Sequence, residues 1–200
     1  MDSPLKSGGR SSEGLGHRGC GPRTRQLLTV GHGTMSSDAL GALLQAAGVE
    51  RVVDVRSVPG SRRHPQFGRA RLETWLPAAG IGYHWERGLG GFRRPGPQSV
   101  NVALRHPSFR GFADYMATAE FRAALGDVVR GAAEVTTAIM CAETLWWRCH
   151  RRLIADAAVL LEAVHVRHLG HDGRLADHRI TDGARVQGAV LIYDQTGPSL

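Results

Sequence analysis

The sequence predicts an α/β fold, a mainly parallel sheet of about five strands covered by helices on both faces. Three observations predict it. Short β-branched runs alternate with stretches of helical apolar spacing in the order β-α-β-α-β-(loop)-α-β-α-β. The helical connections have crossover length, which neighbouring parallel strands require. Strand ends repeatedly finish in polar residues: His32 after the first, Asp54 and Arg56 at the second, Cys141 and Glu143 at the fourth. In open α/β sheets ligands bind outside these carboxyl ends.

Residues 1–25 contain no aromatics and no periodic apolar positions. Glycine, serine and arginine bury too little surface to offset ordering entropy, so this segment is expected to be a disordered tail. The α/β domain is assigned to residues 26–170. It opens with a strand over 26–30 (QLLTV) that runs into Gly31-His32-Gly33-Thr34. Ser36, Ser37 and Asp38 are capping candidates for a helix over 38–47, with Leu40, Leu43 and Leu44 on one face and Gly48 ending it. A second buried-type strand covers 51–55 (RVVDV). The loop over 57–68 is rich in Pro, Gly and Arg, which excludes a strand and interrupts any helix.

A short helix follows over 69–79 with Leu72, Trp75 and Leu76 inward, then a weaker strand over 80–85. Residues 86–107 form a long basic loop, and a loop of that length in a compact domain is a binding element or mobile lid. The helical pattern over 109–132 is broken near Ala119 and Glu120. A β-branched, apolar approach then ends at Cys141 and Glu143. After Trp146 and Trp147 come Arg148, Cys149, His150, Arg151 and Arg152, leading into a helix through Leu161. A fifth strand covers 164–169. Residues 171–200 are a C-terminal extension whose apolar run, 189–193, supplies an edge strand or hairpin. No internal repeat, heptad array or dinucleotide glycine fingerprint is present.

The formal net charge is +7 with a pI near 10.3, and Lys6 is the only lysine. This balance favours phosphate-bearing partners, either nucleic acid or small anions, although genome-wide use of Arg for Lys produces the same excess. A hydrophobic content of 42% supports a sizeable core. No apolar run approaches the roughly 20 residues of a membrane span, and no signal segment opens the chain, so a cytoplasmic protein is expected. The three cysteines, Cys20, Cys141 and Cys149, make a poor disulfide framework and suit free or metal-bound thiols in a reducing compartment.

Thr29-Val-Gly-His32, Val53-Asp-Val-Arg-Ser-Val-Pro-Gly-Ser-Arg62, and Met140-Cys-Ala-Glu143 followed by Cys149-His-Arg151 resemble the domain-of-unknown-function 488 family. Leu89-Gly-Gly91 and Phe112-Ala-Asp-Tyr-Met116 are similar as well. The likeness spans residues 28–170, with Asp172-Gly173, His178 and Thr181 matching the family's usual ending. It implies a compact α/β domain whose motifs converge at one edge of the sheet. The family often carries Ser after the histidine of the first motif; Gly33 stands there in this chain, which leaves no hydroxyl beside His32.

Three chemistries compete at the Cys141 stretch. A thiolate at a strand end, facing a helix N-terminus and arginines, has a lowered pKa and is a nucleophile. Rhodanese-like and tyrosine-phosphatase loops separate Cys and Arg by five residues, but six lie between Cys141 and Arg148, and the loop carries two tryptophans instead of glycines. A buried structural cysteine explains the same residue. Cys141, Glu143, Cys149 and His150, with His32, are metal-ligand types. Paired C-x-x-C or H-x-x-x-H spacing is absent, so no cofactor is predicted and a transition metal stays open as an alternative. Acid–base chemistry would use Glu143, Asp54, His32 and His150 beside arginine forks suited to phosphate oxygens. Asp54 with Arg56 equally fits a structural ion pair.

The expectation is an enzyme of hydrolase or transferase type acting on a phosphate-containing substrate such as a nucleotide or nucleic acid. Cys141, Glu143, His32, Asp54 and His150 are assigned to catalysis. Arg56, Ser61, Arg62, Arg63, Arg151, Trp147, Tyr83 and Gly91 are assigned to substrate binding. Alternatives are a non-catalytic nucleotide- or nucleic-acid-binding module and a thiol- or metal-linked redox protein.

Overall fold

The computed structural model describes residues 26–60 and 62–194. The disordered tail expected over 1–25, and Ser61, lie outside the described residues. The elements are β1 (Gln26–Gly31), α1 (Ser37–Ala46), β2 (Arg51–Asp54), α2 (Arg69–Ala78), β3 (Gly82–Trp85), α3 (Pro107–Met116), α4 (Ala119–Glu134), β4 (Thr137–Cys141), α5 (Arg151–Glu162), β5 (His165–Leu169), β6 (Leu175–Asp177), β7 (Ala184–Gln187) and β8 (Val190–Tyr193). The main sheet has the order β3-β2-β4-β1-β5-β6. Its first five members are parallel, as the α/β reading expects, and β6 adds a sixth, antiparallel edge strand. The apolar run at 189–193 pairs instead with β7 in a separate hairpin.

Both central strands are buried on two faces, which is why β1 and β4 read as continuous apolar runs rather than alternating ones. Leu28, Val30, Val52, Ala138 and Met140 pack with Leu40 and Leu44 of α1 and Leu72 and Leu76 of α2. Leu27, Val53, Ile139 and Val166 face the other way, onto Phe112, Phe121, Leu125, Leu153 and Ile154 of α3, α4 and α5. Helix starts follow the capping chemistry of the sequence. Ser36 Oγ accepts from Ala39 N, and Thr118 Oγ1 accepts from Phe121 N, which separates α3 from α4.

The connection between β3 and α3, expected as a binding loop or lid, is tied to α3. Asp114 accepts from Gly96 N, Ser99 Oγ and Asn101 Nδ2 at 2.9, 2.6 and 2.8 Å. The C-terminal extension is tied to α5 as well. Asp156, fully buried, accepts from Tyr193 Oη at 2.9 Å, Thr181 N at 2.9 Å and His178 Nε2 at 2.8 Å. Among the described residues no helix is long and apolar enough to cross a membrane.

The sheet order also fixes where a ligand can enter. Strands β1 and β2 send the chain onto the face covered by α1 and α2, whereas β4, seated between them, sends it to α5. The connections therefore diverge around the carboxyl end of β4. That is a topological switch point, where open α/β sheets leave a crevice.

Candidate functional site

A cleft of about 790 Å³ occupies this crevice. Strand β1 delivers His32, Gly33 and Thr34 to it, and the segment after β2 delivers Arg56, Ser57, Val58, Arg62, Arg63 and His64. Gly91 and Phe92 enter from the tied-down loop. Cys141, Glu143, Thr144, Arg148, Cys149 and His150 come from the connection between β4 and α5.

The centre of the cleft is built by a chain reversal. After Cys141 the backbone makes one tight helical turn at Trp146–Arg148, which returns Cys149 and His150 beside the end of β4. Cys141 and Cys149 are both buried and carry free thiols. His150 Nδ1 lies 3.9 Å from Cys141 Sγ and 3.6 Å from Cys149 Sγ. The ring is held by its other nitrogen: Nε2 is 2.9 Å from the Val55 carbonyl oxygen, which only accepts, so Nε2 carries a proton and donates. Nδ1 is thereby aimed at the sulfurs. Gly91 lets the backbone press against this ring, since a Cβ there would fall 2.5 Å from His150 Cγ.

Arg151 lies behind the thiols and is 1% exposed. Its guanidinium donates to Cys149 Sγ at 3.4 Å and to the Glu143 carbonyl, and among the described residues no carboxylate pairs with it. A buried cation without an anion is costly, so the sulfur it faces is best charged. The proton balance of the pair agrees. Burial pushes the Cys149 thiol up, but its contacts with Cys141 and His150 and the charge of Arg151 outweigh it and hold it well below the ordinary thiol value. Cys141 moves the other way, through its hydrogen bond to Cys149 and then through burial.

A second group forms one wall. Asp54 is fully buried and accepts from Arg56 Nε at 2.8 Å and Nη2 at 2.5 Å, while Tyr83 Oη donates to it at 3.0 Å. Arg56 also donates to the Phe67 carbonyl at 2.8 Å. His32 stacks on the Phe67 ring at 4.1 Å between centroids. Its Nδ1 donates to Gly33 O at 3.0 Å, leaving Nε2 to accept from Arg56 Nη1 at 3.3 Å. Burial, reinforced by Arg56, lowers its pKa to about 4, so this imidazole is neutral at physiological pH.

The structure therefore brings together Cys141, Glu143, His32, His150, Arg56, Arg62, Arg63 and Gly91 around one space. Four other predicted residues stand elsewhere. Asp54 and Tyr83 are behind Arg56, and Arg151 is sealed behind the thiols. Trp147 is 49% exposed but faces a neighbouring groove with Phe109, Trp146, Arg105 and Arg152. Arg93, from the same loop as Gly91, lies over the Tyr115 ring. From sequence Cys149 stood only as a possible metal ligand, and Phe67 had no role. Glu143 is exposed in the cleft, and its Oε1 accepts from Leu145 N at 3.2 Å.

Fold and site together define an α/β domain with a thiol–imidazole cluster at a sheet switch point. Residues 36–158 match DUF488, a domain of unknown function, and this stretch is more than half of the chain. The chain belongs to that family. The matched stretch carries Arg56, Cys141, Cys149 and His150, while His32 precedes it. No curated protein and no solved structure matches the chain.

Proposed function

We propose that this protein is a cytoplasmic enzyme of hydrolase or transferase type, acting on a phosphate-containing substrate such as a nucleotide or nucleic acid. One observation carries the reading: Arg56, Arg62, Arg63 and Arg148 line the same cleft as the Cys141–Cys149–His150 cluster. Arg62, Arg63 and Arg148 are exposed, and among the described residues none of them pairs with a carboxylate. Unpaired guanidinium forks suit phosphate oxygens, and the exposed Val58 and Phe92 on the rim offer apolar surface to a nucleoside.

In the reaction, an oxygen of water or of an acceptor hydroxyl forms a bond to phosphorus as the ester oxygen leaves. The attacking group's proton passes to the leaving oxygen, and Glu143 is the exposed carboxylate in the cleft that can relay it. Arg56 is pre-aimed by Asp54 and His32, so both act as positioning residues.

Protein purified without chelators is tested by incubating it with a nucleoside 5′-phosphate, p-nitrophenyl phosphate and a single-stranded oligonucleotide, and measuring product release. Turnover of at least one is expected, abolished in Glu143→Gln and raised in KM by Arg62→Ala/Arg63→Ala. Salt-sensitive oligonucleotide binding that is indifferent to Glu143→Gln and Cys149→Ser, with no turnover, would make the cleft a binding module instead.

A further inference from the structure

His150 Nε2 spends its proton on Val55 O, so Nδ1 has a single lone pair, yet two sulfurs converge on it from 3.9 and 3.6 Å. The three ligand-type atoms all lie within 4.8 Å of one another. For tetrahedral zinc with Zn–S near 2.3 Å and Zn–N near 2.05 Å, the edges are about 3.6 Å for sulfur to nitrogen and about 3.8 Å for sulfur to sulfur. Both sulfur–nitrogen separations in the cluster are close to that edge.

We propose that Cys141 Sγ, Cys149 Sγ and His150 Nδ1 bind one zinc ion, with the fourth coordination position open to the cleft. Two thiolates and an imidazole suit a borderline-soft tetrahedral ion and not magnesium or calcium, which take oxygen ligands. The surroundings have the form that holds such ligands. The Val55 carbonyl fixes the imidazole's tautomer and orientation, and Arg151 donates to the Cys149 sulfur. All three ligand residues line the cleft, so the ion would not be closed over. Three protein ligands and an exposed fourth position are the arrangement of catalytic rather than structural zinc. Two thiolates cancel the ion's charge, and buried Arg151 then leaves the centre with one net positive charge. An oxygen anion at the open position neutralises it. That last point rests on the proposed phosphate chemistry, whereas the ligation itself does not.

The test uses the full chain, purified reduced and without chelators, with zinc measured by elemental analysis and by titration against a chromophoric chelator. About one zinc per chain is expected, with retention lost in Cys141→Ser and Cys149→Ser and affinity at least 10-fold weaker in His150→Ala. Because a cysteine variant that misfolds would lose metal trivially, the wild-type chain is also loaded with cobalt. A sulfur-to-cobalt charge-transfer band and intense tetrahedral ligand-field bands are expected. Reduced wild-type protein that retains no zinc against the chelator and gives no such bands overturns the proposal. Phosphate-ester turnover that persists unchanged in metal-free protein overturns the catalytic assignment of the open position and leaves the enzymatic reading standing without the ion. One zinc per chain with no turnover supports the metal site and removes the enzymatic reading instead.

Discussion

Replacing Gly91 with alanine places a methyl group in the space His150 occupies. Its carbon would lie 2.5 Å from Cγ, 2.6 Å from Nδ1 and 3.0 Å from Cδ2, whereas ordinary contact begins at 3.4 Å. The ring must therefore retreat by about 1 Å, and forced overpacking of this kind costs about 1–3 kcal/mol. Its anchor to Val55 O is already a full-length bond at 2.9 Å. A shift of that size sacrifices it, for about 0.5–1.5 kcal/mol more. Gly91→Ala is accordingly expected to lower stability by about 2–4 kcal/mol in urea denaturation. It should also weaken zinc binding about 10- to 100-fold in the chelator titration, although every ligand atom is retained. Gly126→Ala in α4 is the control. Its added methyl meets the flexible end of Arg130 at 3.3 Å, and removing a helical glycine should be neutral or stabilise by up to about 1 kcal/mol. Wild-type stability and wild-type zinc affinity in Gly91→Ala would show that His150 is not held as described.

Asp54→Ala strands Arg56, which is 6% exposed, and should cost about 3–5 kcal/mol by chemical denaturation. His32 and His168 have folded-state pKa values lowered to about 4 and about 3, in both cases mainly by burial, against 6.5 when unfolded. The unfolded chain therefore binds more protons below pH 6.5. Stability is complete above that pH and falls as pH drops towards 4, at up to about 2.7 kcal/mol per pH unit for two protons. Equilibrium unfolding measured across pH 4–7 checks this, and His32→Asn should flatten the slope by about half. Tyr193→Phe removes one of the three donors to buried Asp156 and should cost about 1–3 kcal/mol, read by thermal melting.

The fold was legible because its signals are local. Two buried strands, a capped break before Phe121 and crossover-length helices are written in periodicity and Ser/Thr placement. Sheet edges were less so. Leu175–Asp177 is only three residues long, too short for any pattern, and joins β5 through pairing that no local signal announces. Half of the candidate site was readable from strand ends, because Cys141 closes β4 and His32 and Arg56 come within two residues of the ends of β1 and β2.

The remainder depends on geometry across elements. Cys149 meets Cys141 only because the turn at Trp146–Arg148 doubles the chain back, a spacing with no motif of its own. Arg151 reads as a substrate-binding arginine, yet it is buried behind the sulfurs. Gly31 leaves room for it: a Cβ there would stand 2.7 Å from the guanidinium. Tyr83, read from sequence as a substrate contact, gives its hydroxyl to the Asp54 carboxylate.

The central claim is that the arginine-lined space and the thiol–imidazole cluster are one site. Iodoacetamide labelling of Cys141 and Cys149, quantified by peptide mass spectrometry with and without saturating adenosine 5′-monophosphate or a short oligonucleotide, tests it most directly. At least one of these ligands should slow labelling in the wild-type chain, and the protection should weaken in Arg62→Ala/Arg63→Ala. Labelling rates that neither ligand changes would separate the arginines from the sulfurs and contradict the claim.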